Sequence, residues 1–155
     1  MNFFILLLVL HTLVICRAAL PNKYVVITEK VPFFEAWRGC QFYGLELAKV
    51  TSSADNSQLR IMLDQTGPKH STYWIAGTDI GHEGRWMWIT NDSPITAYTN
   101  WGGANPNNAN GQDCMNIGSF EDDPTLWDDV SCEEEHSYIC ERIPRKSQPN
   151  TETMR

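Results

Sequence analysis

The sequence predicts an α+β domain in which two helices come first and antiparallel strands follow, hung around one long loop. Three observations carry this. Apolar residues recur at three-to-four spacing only between residues 33 and 66. Beyond residue 70 that period gives way to short β-branched and aromatic runs. Residues 99–113 then pack five Asn, three Gly and one Pro into fifteen positions, which no regular element accommodates.

The elements follow in order. Phe3 to Ile15 is an apolar run of 13 residues, interrupted by His11 and Thr12 and followed by small Ala18 and Ala19. It is too short to span a bilayer and reads as a secretion signal over residues 1–18, so a secreted, extracellular chain without membrane insertion is expected. Lys23 to Thr28 is β-branched and aromatic and predicts a first strand. Pro32 opens a helix with Phe33, Ala36, Trp37, Cys40 and Tyr43 on its apolar face, and Gly44 is placed to stop it. A second helix begins near Ser53, which can cap its free amides. It carries Leu59, Met62, Leu63 and Thr66 on one side and ends at Gly67-Pro68. Tyr73–Ala76 and Arg85–Ile89 are strand candidates around a turn at Asp79 to Gly84. Further strands are expected at Cys114–Ile117 and Ser137–Glu141, with a flexible polar tail over 142–155.

Removing 18 residues from 155 leaves 137, one domain with room for a core that must hold all six Trp. The cut also removes Arg17, leaving 11 basic against 19 acidic residues, a net charge of −8. Such a surface does not recruit phosphates, so nucleic acid and anionic lipid are poor partners, while divalent cations and neutral ligands suit it. Four cysteines remain, Cys40, Cys114, Cys132 and Cys140. An even number in an exported domain predicts two disulfides with three possible connectivities, and the lack of any C-x-x-C pair argues against zinc.

Several signals then coincide. Trp74-Ile75-Ala76-Gly77, the Trp86-x-Trp88 pair, Asn105-Pro106-Asn107, Trp127-Asp128-Asp129 and the cysteine spacing, in that order, resemble the C-type lectin-like domain over residues 24–141. The resemblance implies the C-type lectin fold, with two helices, antiparallel sheets and a long loop. It implies the bridges Cys40–Cys140 and Cys114–Cys132, closing 100 and 18 residues. On the chain-entropy account each stabilises the fold by roughly 3–5 kcal/mol.

In sugar-binding members one Ca²⁺ bridges protein and ligand. Carried over by motif, its ligands here are Asn105, Asn107, Gln112, Asp128 and Asp129. Five oxygen donors suit Ca²⁺, and a cis Pro106 would aim its neighbours at one point. The departures matter as much. Asn105 stands for Glu or Gln, Gln112 for Glu, and Asp128 for Asn, so the set keeps two carboxylates where the mannose-type pattern has three. Weak binding follows, toward roughly 10⁻⁴ to 10⁻³ M. Each sugar hydroxyl bound to Ca²⁺ also needs one amide donor and one carboxylate acceptor. Gln112 with Asp128 offers that pair with roles exchanged. Asn105 with Asn107 offers two donors and no acceptor, so weak or unusual selectivity is expected between mannose-type and galactose-type glycans.

A second set, Asp79, Glu83, Asn108 and Asp113, matches positions of an auxiliary Ca²⁺ and reads equally as polar residues flanking turns. Trp127 reads as core, Asp128-Asp129 also as a simple turn, and Glu133-Glu134-Glu135 as a solvated face. Asn91-Asp92-Ser93 is a glycosylation sequon followed by Pro94. His70, His82 and His136 have no catalytic or zinc spacing, and no G-x-S-x-G, H-E-x-x-H or P-loop pattern occurs, so an enzyme is not expected. The resulting expectation is a secreted lectin, similar to soluble lectins of innate immunity, that binds glycans with weak Ca²⁺ dependence through the 105–129 loop. The rival is a lectin-like domain binding a protein or other surface without calcium or sugar. No heptad or collagen-like repeat indicates an oligomer.

Overall fold

A computed structural model describes residues 22–66 and 71–143 of the chain. The expected leader, the Gly67-Pro68 stop, His70 and the tail beyond Ile143 lie outside the described residues. Strand β1 (Tyr24–Val31) outruns its expected end because its pairing partner, β8 (His136–Glu141), continues alongside it. The two run antiparallel from Tyr24↔Glu141 to Val31↔His136, with a bulge after Ile27.

Helix α1 (Phe33–Phe42) follows, with Pro32 at its N-cap. Phe33, Ala36 and Cys40 are fully buried, but Trp37 is half-buried and Tyr43 stands exposed beyond the helix end. The apolar stripe is therefore narrower than its spacing predicts. Gly44 does stop the helix, at φ +68°, while the amides of Gly44 and Leu45 cap the last carbonyls at 2.9 and 3.0 Å. The short strand β2 (Glu46–Leu47), which no periodicity announces, pairs with β8.

Helix α2 (Ser53–Thr66) is capped by Ser52, not Ser53. The Asp55 amide donates to Ser52 Oγ at 3.1 Å, and Asp55 Oδ2 accepts the Thr51 amide at 3.0 Å. This reciprocal arrangement satisfies free donors at the helix start, and it places Ser53 one residue inside. Leu59, Met62 and Leu63 face the core, whereas Thr66 is exposed and bonds back to the Met62 carbonyl.

Strand β3 (Tyr73–Thr78) is buried at every position, which explains its unbroken apolar run. It pairs antiparallel with β4 (Met87–Trp88) and with β6 (Cys114–Ile117), but parallel with β8 through Tyr73↔Ser137 and Trp74↔Tyr138. The sheet is therefore mixed and not wholly antiparallel. The strand expected over Arg85–Ile89 shrinks to two residues, pairing with an equally short β5 (Ser93–Pro94). Strand β7 (Trp127–Val130) pairs with β6 from Cys114↔Val130 to Ile117↔Trp127. Both bridges are present, Cys40–Cys140 between α1 and β8 and Cys114–Cys132 beside the β6–β7 pair.

One aromatic cluster positions the loop. Trp127 is fully buried, with the rings of Trp88, Trp101 and Tyr98 edge-on at 5.6 to 5.9 Å. Trp101 also meets Trp86 at 4.7 Å. The Trp127 amide donates to the Asn100 carbonyl at 2.8 Å, and its own carbonyl accepts from Gly102 at 2.9 Å. Residues 99–113 thus start from a rigid floor, which is how a segment without regular structure is held in place.

Candidate loop site for metal and ligand

Strand alternation sets the two acids apart. With Trp127 turned into the core, Asp128 projects partly into solvent and Asp129 points back under the loop, fully buried. Asp129 Oδ2 accepts the amides of Asn107 at 2.8 Å and Asn108 at 2.6 Å. The Asn105-Pro106 peptide is cis, as expected, and brings Asn105 and Asn107 side by side. Asn107 Nδ2 donates to Asn105 Oδ1, and Asn105 Nδ2 donates to Asp128 Oδ1. The Ala109 amide then bridges Asn107 Oδ1 and Gln112 Oε1, each at 3.0 Å. All five residues of the expected principal set thus join one hydrogen-bonded network.

The auxiliary set abuts it. Asp79 is buried and accepts the Gly84 amide at 2.8 Å. Its own amide and the Thr78 hydroxyl both donate to the Asp113 carbonyl, at 3.2 and 2.6 Å. Asn108 Oδ1 accepts the Gln112 amide at 2.9 Å, linking the two sets, while Glu83 lies on the exposed turn. Burial and then the charges of Asp113 and Asp129 push the Asp79 carboxyl above its ordinary range. Burial and the charges of Asp79, Asp113 and Asp129 act likewise on exposed Glu83. Asp128 is raised too, by burial and by Asp129, against hydrogen bonds from Ser119 and Asn105.

Two buried carboxylate oxygens, Asp79 Oδ1 and Asp129 Oδ1, have no hydrogen-bond partner among the described residues. An unpaired buried carboxylate oxygen is costly, and a cation relieves it. Among the described residues no three His, Cys, Asp or Glu side chains stand close enough to chelate a metal without amide donors. The donor set here is mixed carboxylate and amide, which excludes the softer metals and fits Ca²⁺.

A supporting layer escaped the motif reading. Buried Asn116 sits opposite Asp128 in the β6–β7 ladder and accepts the Ser119 hydroxyl at 2.9 Å, while Ser119 also bonds Asp128. Asn116 Nδ2 meets His136 Nε2 at 3.2 Å, and His136 Nδ1 contacts Thr72 at 2.8 Å. Burial lowers the His136 pKa despite nearby Glu134. The relevant signal was the Cys114–Cys132 bridge, which pins β6 against β7 and so fixes which residue faces Asp128. Asn91 lies on an exposed turn, where its Oδ1 accepts the Ser93 amide and hydroxyl at 3.3 and 2.8 Å.

The Lectin C-type domain model matches residues 29–142. A perlucin-like protein of Mytilus galloprovincialis is 33% identical over 120 residues, covering 77% of this chain and 75% of its own. The mouse scavenger receptor C-type lectin carbohydrate-recognition domain superposes with a TM-score of 0.67 at 26% identity, over 79% of this chain and 90% of that one. A calcium-independent type II antifreeze protein superposes at 0.66 with 24% identity, over 83% and 95%. The fold agrees with these likenesses, and the chain belongs to the C-type lectin domain family.

Proposed function

We propose that this is a secreted glycan-binding lectin whose 105–129 loop binds Ca²⁺ weakly and uses it to hold sugar hydroxyls. The observation that carries the reading is Asp129 Oδ1, a buried carboxylate oxygen with no hydrogen-bond partner among the described residues, on an acid whose other oxygen holds the loop in which the remaining four expected ligands are linked through hydrogen bonds. Asn105, Asn107, Gln112, Asp128 and Asp129 would hold the ion, with Asp79, Glu83, Asn108 and Asp113 for an auxiliary one. Bound Ca²⁺ supplies a Lewis acid that accepts hydroxyl lone pairs. The remaining work belongs to the chain: Asp128 would accept a hydrogen bond from a sugar hydroxyl and the Gln112 amide would donate one. The partner is a soluble, cell-surface or microbial glycan, and the setting innate immune recognition. Among the described residues no helix is long and apolar enough to cross a membrane, in keeping with an extracellular binding module.

One observation favours the rival, binding of a protein or other surface without metal. Asn107 donates to Asn105 and Asn105 to Asp128, so these side chains already find partners within the protein without a metal. A calcium-independent protein shares the fold.

Thermal unfolding across a Ca²⁺ titration separates the two. At about tenfold excess over Kd the ion should add roughly 1.4 kcal/mol, or roughly 4–6 °C in Tm. Retention on immobilised sugars should be reversed by EDTA. An unchanged melting curve at millimolar Ca²⁺, with retention indifferent to chelator, selects the rival.

A further inference from the structure

Asn110-Gly111 is the sole Asn-Gly pair in the sequence, and both residues are exposed at the tip of the loop, at φ +62° and +78°. An asparagine followed by an unhindered amide nitrogen can cyclise. The backbone nitrogen of the next residue attacks the side-chain Cγ, a new N–Cγ bond forms, and the Cγ–Nδ2 bond breaks. The proton lost from that nitrogen leaves with Nδ2 as ammonia. Water then opens the succinimide at either C–N bond, giving aspartate, or isoaspartate with the chain rerouted through Cβ and Cγ. Whether this happens depends on how firmly the attacking amide is held.

The loop discriminates sharply on that point. Asn105 precedes Pro106, which has no N–H. The amide following Asn107 belongs to Asn108 and donates to buried Asp129 at 2.6 Å. The amide following Asn108 belongs to Ala109 and is held by two side-chain oxygens at 3.0 Å. Among the described residues the Gly111 amide has only a 3.4 Å contact to the Asn108 carbonyl, and a Cβ built on Gly111 would meet nothing within 4 Å. The Asn110 side chain takes part in no hydrogen bond among the described residues.

We propose that Asn110 is a spontaneous deamidation site and that, between Asn105 and Gln112, this chemistry is confined to it. Its placement gives the modification leverage. Gln112 is anchored by its amide on Asn108 Oδ1 at 2.9 Å and by its Oε1 on the Ala109 amide, and Asn110 lies inside that closed turn. Isoaspartate adds a backbone carbon there, and either product adds a carboxylate to a loop whose expected ligands include four neutral amides, Asn105, Asn107, Asn108 and Gln112. Any effect on Ca²⁺ rests on the function proposed above, whereas the modification itself does not.

The test is peptide mapping by mass spectrometry of the full chain, aged in warm, mildly alkaline buffer, with isoaspartate detected by enzymatic methylation. A hydrogen bond that must break before attack slows cyclisation about tenfold, the equivalent of about 1.4 kcal/mol. Asn110 should therefore exchange its amide for a hydroxyl about tenfold faster than Asn107 or Asn108, with methylatable isoaspartate at 110. In Asn110→Gln, which would need a larger ring, the mass gain in that peptide should vanish. Conversion at Asn107 or Asn108 as fast as at Asn110, or an unconverted Asn110 matching the Gln variant over the same time, overturns the assignment.

Discussion

Asp129 has two separable duties at the residue scale. Oδ2 holds the Asn107 and Asn108 amides, and Oδ1 is left for a cation. Asp129→Ala should abolish the Ca²⁺ increment in Tm and also cost roughly 1.5–3 kcal/mol without metal, because two loop amides lose a buried, charged acceptor. Asp129→Asn keeps one acceptor and removes the charge, so its metal-free melt should shift far less while the Ca²⁺ increment still disappears. Calorimetric melts with and without the ion compare the two. Asn105 makes the converse case. Asn105→Glu would set a carboxylate against Asp128 Oδ1, where an amide now donates. Without Ca²⁺ the variant should melt lower than the parent. With Ca²⁺ the like charges become ligands, so ion affinity and retention on mannose-type columns should both rise.

At the scale of elements, the start of α2 is tied by charge to the end of the sheet where β1 begins and β8 finishes. Lys23 Nζ reaches Asp55 at 2.6 Å and Glu141 at 3.4 Å, and Lys49 reaches Glu141 at 3.0 Å. Burial opposes ionisation of Asp55, but the Lys23 and Thr51 hydrogen bonds prevail and hold its carboxyl below the usual range. A depressed folded-state pKa contributes stability that is present above the unfolded value and lost as pH falls through the folded one. Tm should thus fall on acidification below the ordinary aspartate range, and Asp55→Asn should flatten that part of the profile. Gly118 closes β6 at φ +93°, where an added Cβ would lie 2.2 Å from the Ser71 carbonyl oxygen. Gly118→Ala should destabilise by roughly 1–3 kcal/mol or more in denaturant melts, since the obstacle is backbone. These elements also mark how far the sequence could be read. Helix faces, the Gly44 stop and strands such as Cys114–Ile117 follow from period and punctuation. Two-residue β2 and the parallel β3–β8 contact do not, because each is decided by a partner distant along the chain. The Ser52 cap and two-residue β5 are local, but adjacent serines and a tight hairpin leave the exact positions open to sequence reading. Within the site the network members follow from motif order. Asn116 and Ser119 do not, because the β6–β7 register sets Asn116 opposite Asp128 and Ser119 reaches both side chains from beyond the end of β6.

For the whole molecule, the two bridges differ in what surrounds them. Cys40 and Cys140 are fully buried between α1 and β8, whereas Cys132 is partly exposed. Mild reductant should open Cys114–Cys132 first, releasing the segment that carries Gln112, Asp128 and Asp129 while the helices stay folded. Alkylation mapping should label Cys114 and Cys132 before any change in far-UV circular dichroism, and early label on Cys40 or Cys140 contradicts this. The β1–β8 pairing has a different consequence. The Arg142 amide donates to the Lys23 carbonyl at 2.9 Å, and the Arg142 guanidinium reaches the Asn22 carbonyl at 3.1 Å. The described chain therefore enters and leaves at one spot, on strands that carry none of the loop's expected ligands. A domain built this way can be spliced into a host protein as a cassette, through a surface turn only a few ångströms wide, with its recognition loop still free to work.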